Sequence, residues 1–439
     1  MKRVVVANSY ESVKELWIDN QRGLISRPKN YTFHKVVSIS QGFTIGTSPW
    51  DESCKNRRKV AAAAVNRSAI QSYLHIFDFE SYEIIRNLFR DSCNGRNEIN
   101  PRSYLYAYAL RSSLSINYGI EMRSLINDLV PEIFQVESEI SGFRGITNNW
   151  QDYIPILRLL SRKNTLAAHY RARRDKYMKI LLDGLKSAIE KGIDGPCIAG
   201  NILKDPIAKL NSDELKSVCL SMVAAPGEII PATVMQGLGY LSSSHGQEIQ
   251  ERAYQSIMEN YPNGQVWEKC IQEEKLPYIA ALIQEILRYY PVSPLSLPRE
   301  SISDIVYNDA VIPSGTMFLL NLDLERYQDP ERFDPCRYLD EKPKKGFVAI
   351  PHYTYGAGSR MCFGNHLANR QMFTLFTRII SAFKIFPEKN FDPEILNAVS
   401  CNTNHSSIVA KPKDFKVQFV PRDQEALEGW LRKSGECLK

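Results

Sequence analysis

The chain has 439 residues, of which 44% are hydrophobic, and its 55 basic and 49 acidic residues leave a net charge of only +6. This length and composition allow a large core, while the nearly balanced charge, without long runs of one sign, argues against a dedicated nucleic-acid-binding protein. The nine cysteines show no CxxC pair and no regular spacing, which argues against a zinc cluster and a disulfide framework.

The chain up to about residue 290 is predicted to be largely helical. Residues 3–7, RVVVA, have the β-branched composition of a strand, and YESVKELW predicts a short helix capped by Asn8 or Ser9. Residues 26–50, rich in Ser, Thr and Gly, are expected to form a loop. From there apolar residues recur at spacings of three and four, as in amphipathic helices, with a loop at KGIDGPCIAG.

After Pro291 the pattern changes to short strands. DIVYNDAVI and TMFLLNL are β-prone and separated by turn signals, a helix is predicted through NHLANRQMFTLFTRIISAF, and DFKVQFVPRD predicts a final strand. No repeat or low-complexity linker divides the chain, so we expect one mainly α domain with small β-sheets over residues 1–439. Neither a membrane span nor a signal peptide is predicted, and as written the chain is expected to be soluble.

The stretch HYTYGAGSRMCFGNHLA carries the clearest chemical signal. Gly356 and Gly358 allow a tight turn, and Gly364 lets a backbone approach closely. Cys362 comes just before a predicted helix, where free N–H groups and the helix dipole favour a thiolate. Such a thiolate is a metal ligand or a nucleophile; the alternative is an ordinary buried cysteine.

The spacing F/Y-G-x-G-x-R-x-C-x-G in this stretch resembles the haem-binding loop of cytochromes P450. The resemblance implies haem b as the cofactor, with Cys362 as the ligand of its iron and Arg360 as a partner of a haem propionate. Arginine suits that role because its charge persists and its fork matches a carboxylate. Tyr355, Phe363 and Gly364 are further cofactor-binding residues by the same resemblance.

Three further segments follow in the family's order. EILR places Glu285 and Arg288 on one helical face, as in the family's E-x-x-R pair. FDPCRYL resembles the family's P-E-R-F segment, which implies that Arg337 completes a structural ionic cluster, although Cys336 replaces the usual Glu. Arg299, in LPRES, matches a second propionate partner.

The segment CKNRRK corresponds to the family's W-x-x-x-R motif. Arg58 matches the arginine by spacing, and Cys54 stands where tryptophan is usual, so one indole contact to a propionate is expected to be absent. Arg57 is the alternative arginine. A solvated basic face is the alternative for the whole segment.

The stretch MVAAPGEIIPAT corresponds to the family's A-G-x-D/E-T signature, which here becomes Ala225, Pro226, Gly227, Glu228 and Ile229. The resemblance makes Pro226, Glu228 and Ile229 the catalytic positions. Most members carry a threonine at position 229 that holds a water for proton delivery, and isoleucine neither donates nor accepts. Because Pro226 leaves the Met222 carbonyl without its helical partner, the helix is expected to bend or open. Water, a substrate polar group or Glu228 then delivers the proton; alternatively, Pro226 merely shapes the pocket.

The substrate pocket is expected, by family position, to be lined by residues from several segments. They are Phe43, Ile45, Ala225, Ile230, Val292, Leu295, Ser296 and His405. For His405 the alternative is a surface residue, as is usual for a lone loop histidine.

Long runs of the sequence, among them SRPKNYTFHKVVSISQGFTIG and ISGFRGITNNWQDYIPILRL, are similar to the fungal phenylacetate 2-hydroxylase branch. The resemblance implies a monooxygenase that uses O2, and NADPH electrons from a flavoprotein reductase, to oxidise a small aromatic-derived substrate, for example a phenylalanine-derived metabolite. Oxidative coupling, cyclisation or dehydration without oxygen insertion stays open, as does a haem-binding sensor.

The resemblance also implies the cytosolic face of the endoplasmic reticulum membrane as the location. The family's N-terminal anchor, hinge and first strand have no counterpart in this sequence. Membrane contact is expected only through such an anchor.

Overall fold

A computed structural model describes residues 3–39, 44–145, 149–159, 162–205, 210–262, 264–321, 327, 329–339, 352–405 and 407–437. Most of these residues are helical. The α-helices are α1 Tyr10–Val13, α2 Glu52–Ala64, α3 Arg67–Gln71, α4 Leu74–Ser92, α5 Arg102–Tyr118, α6 Arg123–Gly142, α7 Arg162–Glu190, α8 Ile198–Lys204, α9 Ser212–Ser242, α10 Gly246–Asn260, α11 Val266–Gln272, α12 Pro277–Tyr289, α13 Asn365–Ala382 and α14 Gln424–Cys437.

Shorter helical turns connect these elements. Two π-helical segments cover Lys14–Asp19 and Tyr31–Val37, and 3-10 turns cover Ile120–Met122, Trp150–Asp152, Pro155–Arg158, Pro335–Tyr338, Gly358–Arg360 and Pro393–Leu396.

Short strands form small sheets at the periphery of the helices. The strands are β1 Val4–Ala7, β2 Glu98–Ile99, β3 Arg299–Glu300, β4 Ile305–Tyr307, β5 Ala310–Ile312, β6 Met317–Leu320, β7 Phe383–Pro387 and β8 Val417–Pro421. One sheet has the order β1-β6-β3, another β2-β8-β7, and β4 pairs with β5. In the first sheet β1 runs parallel to β6, and Arg299 on β3 pairs with Phe318 on β6. This pairing fixes the backbone position of Arg299.

Helix α9 runs through the centre of the hydrophobic core. Its C-terminal half joins the cluster formed by α12 and α13, and its N-terminal half joins the cluster of α5, α6 and α7. Gly227 permits close packing on α5, because a Cβ atom there would lie 2.7 Å from Leu110 Cδ2. Among the described residues α9 is the one helix long and apolar enough to cross a membrane, and 72% of its apolar window is buried inside the protein.

The mainly α fold with small sheets agrees with the sequence prediction. The predicted first strand is β1, and Ser9 rather than Asn8 caps α1, because the Ser9 hydroxyl accepts the Ser12 N–H at 3.2 Å. The predicted helix after Cys362 ends at Ala382, and strand β7, which the sequence did not indicate, begins at Phe383.

Two local expectations differ from the structure. Residues 26–50 are not all loop, because Tyr31–Val37 is helical, and Asp152 Oδ1, distant in sequence, accepts the Thr32 N–H at 2.6 Å. Helix α9 does not open at Pro226; it continues through both Pro226 and Pro231. Tight packing of α9 on neighbouring helices accounts for this, since tertiary contacts offset the loss of single helical hydrogen bonds.

Candidate active site

The loop before α13 brings Cys362 to the start of a helix. Gly356 and Gly358 have φ angles of 75° and 60°, and a Cβ atom on Gly358 would lie 2.1 Å from the Trp17 carbonyl oxygen. Glycine is therefore required at position 358. The Cys362 N–H donates to the Tyr355 carbonyl at 2.8 Å, which closes the loop just before α13 begins.

The Cys362 thiol experiences opposing influences. Burial among protein atoms raises its pKa, while a hydrogen bond with the Gly364 backbone and the charge of Arg58 lower it, and burial is the largest of the three. The side chain nevertheless keeps accessible surface, so it lies beside an open space. The groups expected to stabilise a thiolate are present, but the effect of burial on the pKa is larger than theirs. A metal cation bonded to the sulfur would deprotonate the thiol outright.

Four arginines converge near this loop: Arg27, Arg58, Arg299 and Arg360. Burial lowers the pKa of each of them, to about 9 for Arg299 and about 10 for Arg360. Repulsion among the positive charges lowers these pKa values further. Arg360 lowers the pKa of Arg27 and Arg299. Arg58 lowers the pKa of the other three arginines. Such a group of buried cations is costly unless an anion joins it.

Backbone carbonyls are the hydrogen-bond partners of these arginines. Arg360 donates to the carbonyls of Ile25, Ile45 and Ser48 at 3.0–3.1 Å, and Arg299 donates to Leu24 and Ala357. Arg58 donates to Met361, and Arg27 donates to Leu297 and Pro298.

No ion pair to a carboxylate joins any of the four within the described part of the chain, and the Nε atoms of Arg27 and Arg360 lack hydrogen-bond partners. The two propionates of a haem fit this unbalanced positive charge. The residues present are therefore compatible with the cofactor that the resemblance implies.

The structure distinguishes Arg58 from Arg57. Arg57 is buried and donates to the Ser217 hydroxyl on α9 at 2.5 Å, whereas Arg58 lies with its guanidinium carbon 5.5 Å from the Phe363 ring centre. Of the two arginines, Arg58 is therefore the one whose side chain contacts the Cys362 loop. Cys54 has no aromatic ring that could contact a propionate. The Trp50 ring centre, however, lies 5.6 Å from the Arg360 guanidinium carbon.

Glu285, Arg288 and Arg337 form a buried ionic cluster. Arg288 donates through Nε and Nη2 to the two Glu285 oxygens at 2.7 and 2.8 Å, and Arg337 Nε lies 3.2 Å from Glu285 Oε1. The Asp334 N–H also donates to Glu285 at 2.6 Å. Asp334 in turn accepts the Cys336 N–H at 2.9 Å, so this turn is held without the usual Glu at position 336.

Glu228 turns toward α6. Its Oε2 accepts the Ser141 hydroxyl at 3.1 Å and lies 3.9 Å from Arg144 Nη1. Burial raises the Glu228 pKa to about 7, with Arg144 lowering it and Glu137 raising it. Glu228 also borders a small cleft that touches Tyr106, so its carboxyl group has space for water beside it.

The predicted pocket residues separate into several groups. Ala225 is exposed and Ile229 half-buried, one helical turn apart on the same face of α9, with Pro226 half-buried beside them. Ile230, the residue after Ile229, is buried in the largest core cluster.

The remaining pocket predictions fall outside α9. Ile45 is fully buried, and its N–H donates to Ser221 at 2.8 Å. Val292 is buried, Leu295 and His405 are exposed, and Ser296 is half-buried with a φ angle of 53°. Phe43 lies outside the described residues.

Comparisons with known proteins identify the family. A sequence model described as cytochrome P450 matches residues 1–419. The chain belongs to the cytochrome P450 family. This P450 is 52% identical, over 100% of its length and 86% of the relative, to a phenylacetate 2-hydroxylase of Emericella nidulans. It is 41% identical to a 3-hydroxyphenylacetate 6-hydroxylase of the same organism, over 97% of this chain and 81% of the relative.

Solved structures agree with this membership. Two zebra fish cytochrome P450 structures, with abiraterone and with progesterone, match 95% of this P450 with TM-scores of 0.73 and 0.75 at 18% identity, covering 93% and 94% of their own chains. At that identity they show the fold alone. Family membership makes the protein a haem-containing oxidoreductase of the monooxygenase type, like its fungal relatives.

Three residues at the site of this P450 were not predicted from its sequence. Arg27, Trp50 and Arg144 reach it from segments that carry no short motif. Their only available signal was their presence within runs that resemble the phenylacetate 2-hydroxylase branch, which gives no role to single residues.

Proposed function

We propose that this cytochrome P450, as a single haem-thiolate domain over residues 1–439, hydroxylates a small aromatic substrate. The observation that carries the proposal is the 52% identity to a phenylacetate 2-hydroxylase over the whole chain, together with the unbalanced arginines around the Cys362 loop. Electrons come from NADPH through a flavoprotein reductase, as the family resemblance implies.

Each residue near the Cys362 loop has a definite task in this proposal. When bound, haem supplies the activation of O2 that a thiolate ligand favours. Cys362 would hold its iron, and Arg58, Arg299 and Arg360 would hold its propionates, with Arg27 as a fourth cation. Tyr355 fixes the loop, because its hydroxyl donates to Asn369 on α13 at 2.6 Å.

Proton delivery differs from the usual arrangement because Ile229 has no hydroxyl. The reaction releases one oxygen atom as water, so protons must reach the site. We propose that Glu228 supplies them through water, since its pKa of about 7 leaves it partly protonated near neutral pH. The Ser141 hydroxyl, which donates to Glu228, and the adjoining cleft are the polar surroundings from which Glu228 would receive water and protons.

The loss of the alcohol also favours a second candidate. A P450 without the usual relay is suited to oxidative coupling or cyclisation, in which no oxygen atom enters the product. The same residues would hold the cofactor in both cases. The two candidates therefore differ in the product, not in the haem site.

We also propose that the protein works at the endoplasmic reticulum membrane. In addition to the family resemblance, an exposed apolar surface supports this proposal. It contains Trp150, Ile154, Ile156 and Leu159, which lie within ten positions of one another and are 64%, 45%, 68% and 84% exposed, and clustered exposed apolar side chains mark contact sites. Co-flotation of the purified chain with phospholipid vesicles tests it, and Ile156→Ser with Leu159→Ser should reduce that binding.

The experiment for the main proposal is turnover of phenylacetate with NADPH and a fungal reductase under isotopically heavy O2. Hydroxylation predicts a ring-hydroxylated product with one heavy oxygen atom, formed only when reductase is present. A dimerised or cyclised product without heavy oxygen would support coupling instead. Absence of any product from a haem-loaded, reducible enzyme would contradict both.

A further inference from the structure

A second cleft lies between segments that are far apart in sequence. Its apolar wall contains Phe33, Leu297, Pro298 and Ile408, and its charged lining contains Arg27 and Arg144. An apolar wall with a few convergent polar groups is the usual composition of a small-molecule site. Leu297 and Pro298 directly precede the propionate candidate Arg299, so the cleft adjoins the cofactor site.

Arg144 has unused hydrogen-bonding capacity in this cleft. Its side chain is 12% exposed, and its Nε and Nη2 atoms are buried without a hydrogen-bond partner. Arg144 forms ion pairs with Glu137 at 3.5 Å and Glu228 at 3.9 Å, neither of which is a hydrogen bond. Glu137 is already bound by Arg174, whose Nε donates at 2.7 Å, and by the Tyr177 hydroxyl at 2.7 Å.

The other charged or titratable side chains of the cleft, Arg27 and His34, are held by hydrogen bonds to the backbone, although the Nε atom of Arg27 has no partner. Arg27 donates to the carbonyls of Leu297 and Pro298 and belongs to the arginines near the Cys362 loop. His34 accepts the Asn30 N–H at Nδ1, 2.9 Å away, and its Nε2 lies 3.0 Å from the Thr47 carbonyl. Burial lowers the His34 pKa, which keeps the ring neutral. Arg144 is therefore the cation in this cleft whose guanidinium makes no hydrogen bond to another described residue.

We propose that Arg144 binds the carboxylate of an aromatic acid substrate, and that the apolar wall of this cleft receives the ring. The inference rests on the proposed function and specifies its substrate class. A guanidinium fork binds a carboxylate through two parallel hydrogen bonds. The Phe33 ring, whose centre lies 5.4 Å from the Arg144 guanidinium carbon, would flank the bound acid.

This geometry assigns Arg144 a role in specificity that a neutral ligand does not need. A carboxylate offers two acceptor oxygens and a negative charge to the donors of Arg144, whereas an amide of the same shape is neutral and offers one acceptor oxygen. Sites with buried hydrogen-bonding groups reject analogues that leave those groups unpaired. The protein should therefore prefer phenylacetate to phenylacetamide.

The test is a spectral binding titration of the haem-loaded protein with phenylacetate and with phenylacetamide. The variants are Arg144→Gln, Arg144→Lys and, as a matched control, Arg173→Gln, which removes an arginine of α7 paired with Glu132 away from the cleft. Arg144→Gln should weaken phenylacetate binding by about 10-fold to 100-fold, as expected for a lost charge-assisted hydrogen bond. The phenylacetate affinity of Arg144→Lys should lie between those of the parent and Arg144→Gln. Neither substitution should change phenylacetamide binding by more than about threefold.

The outcomes separate this inference from the proposed function. If Arg144→Gln binds and hydroxylates phenylacetate as the parent does, the role of Arg144 is wrong while the proposed hydroxylation stands. If the haem-loaded parent binds neither compound, the substrate class and the inference both fail. Equal loss of acid and amide binding in Arg144→Gln, with unchanged thermal unfolding, would show that Arg144 only shapes the cleft and would also overturn the inference.

Discussion

The Cys362 loop and the central turn of α9 differ in how strictly their residues are determined. In the loop, Gly358 is required by the Trp17 carbonyl, and Cys362 comes directly before α13. In α9, by contrast, position 229 is isoleucine where the family resemblance leads us to expect threonine, and two prolines are accommodated within one continuous helix. The residues proposed to hold the cofactor are thus fixed by local geometry, whereas those proposed to handle protons and substrate tolerate replacement.

The ionic cluster that supports the Cys362 loop region should show the largest effect. Glu285→Ala leaves Arg288 and Arg337 without their buried carboxylate, and we expect a loss of about 3–5 kcal/mol in the free energy of unfolding. Denaturant unfolding measures it. Glu132→Ala, which removes one partner of a more exposed pair, serves as the control and should cost less than about 1 kcal/mol. Equal losses of unfolding free energy in Glu285→Ala and Glu132→Ala would contradict a stabilising role particular to the buried cluster.

Glu228 on α9 should give the next largest effect, as a function of pH. Folding raises the Glu228 pKa from 4.5 to about 7, so its contribution to stability is fully present below pH 4.5 and is lost as the pH rises through 7. Glu228→Gln has no titrating group at this position, so it does not lose stability in this way as the pH rises. Its stability relative to the parent should rise by about 2–3 kcal/mol between pH 4.5 and pH 8. A difference independent of pH would show that Glu228 is not perturbed.

A smaller effect is expected for the arginine next to the Cys362 loop. Arg58→Gln should increase the rate of haem loss by about tenfold, because one charge-assisted contact to a propionate is lost. Arg57→Gln is the matched control, since Arg57 faces Ser217 on α9. Transfer of haem to an acceptor protein measures the rate. Faster loss from the Arg57 variant than from the Arg58 variant would reverse the assignment.

The smallest effect is expected from restoring the alcohol on α9. Ile229→Thr should change the fraction of NADPH oxidation that yields product by about twofold, because a hydroxyl would compete with the route through Glu228. Product and NADPH measured in one reaction give this ratio. Ile229→Val, which adds no hydroxyl, is the control. An unchanged ratio in Ile229→Thr would argue against a displaced proton route.

The sequence predicts those parts of the site whose partners lie close along the chain. The Cys362 loop and the Glu285–Arg288 pair are such cases, since their spacings alone place the groups together. Arg27 and Arg144 could not be found this way, because their surroundings depend on how distant segments pack. The helical turn Tyr31–Val37 was missed for the same reason: its cap comes from Asp152, more than a hundred residues away.

We propose that the sulfur of Cys362 binds haem iron, and the carbon monoxide difference spectrum of the reduced protein reports on that bond. The parent protein should show the spectrum of a thiolate-ligated haem. Cys362→Ser should lose that spectrum while the arginines still retain haem. A parent spectrum typical of histidine ligation, or a Cys362→Ser spectrum identical to the parent's, would contradict the account.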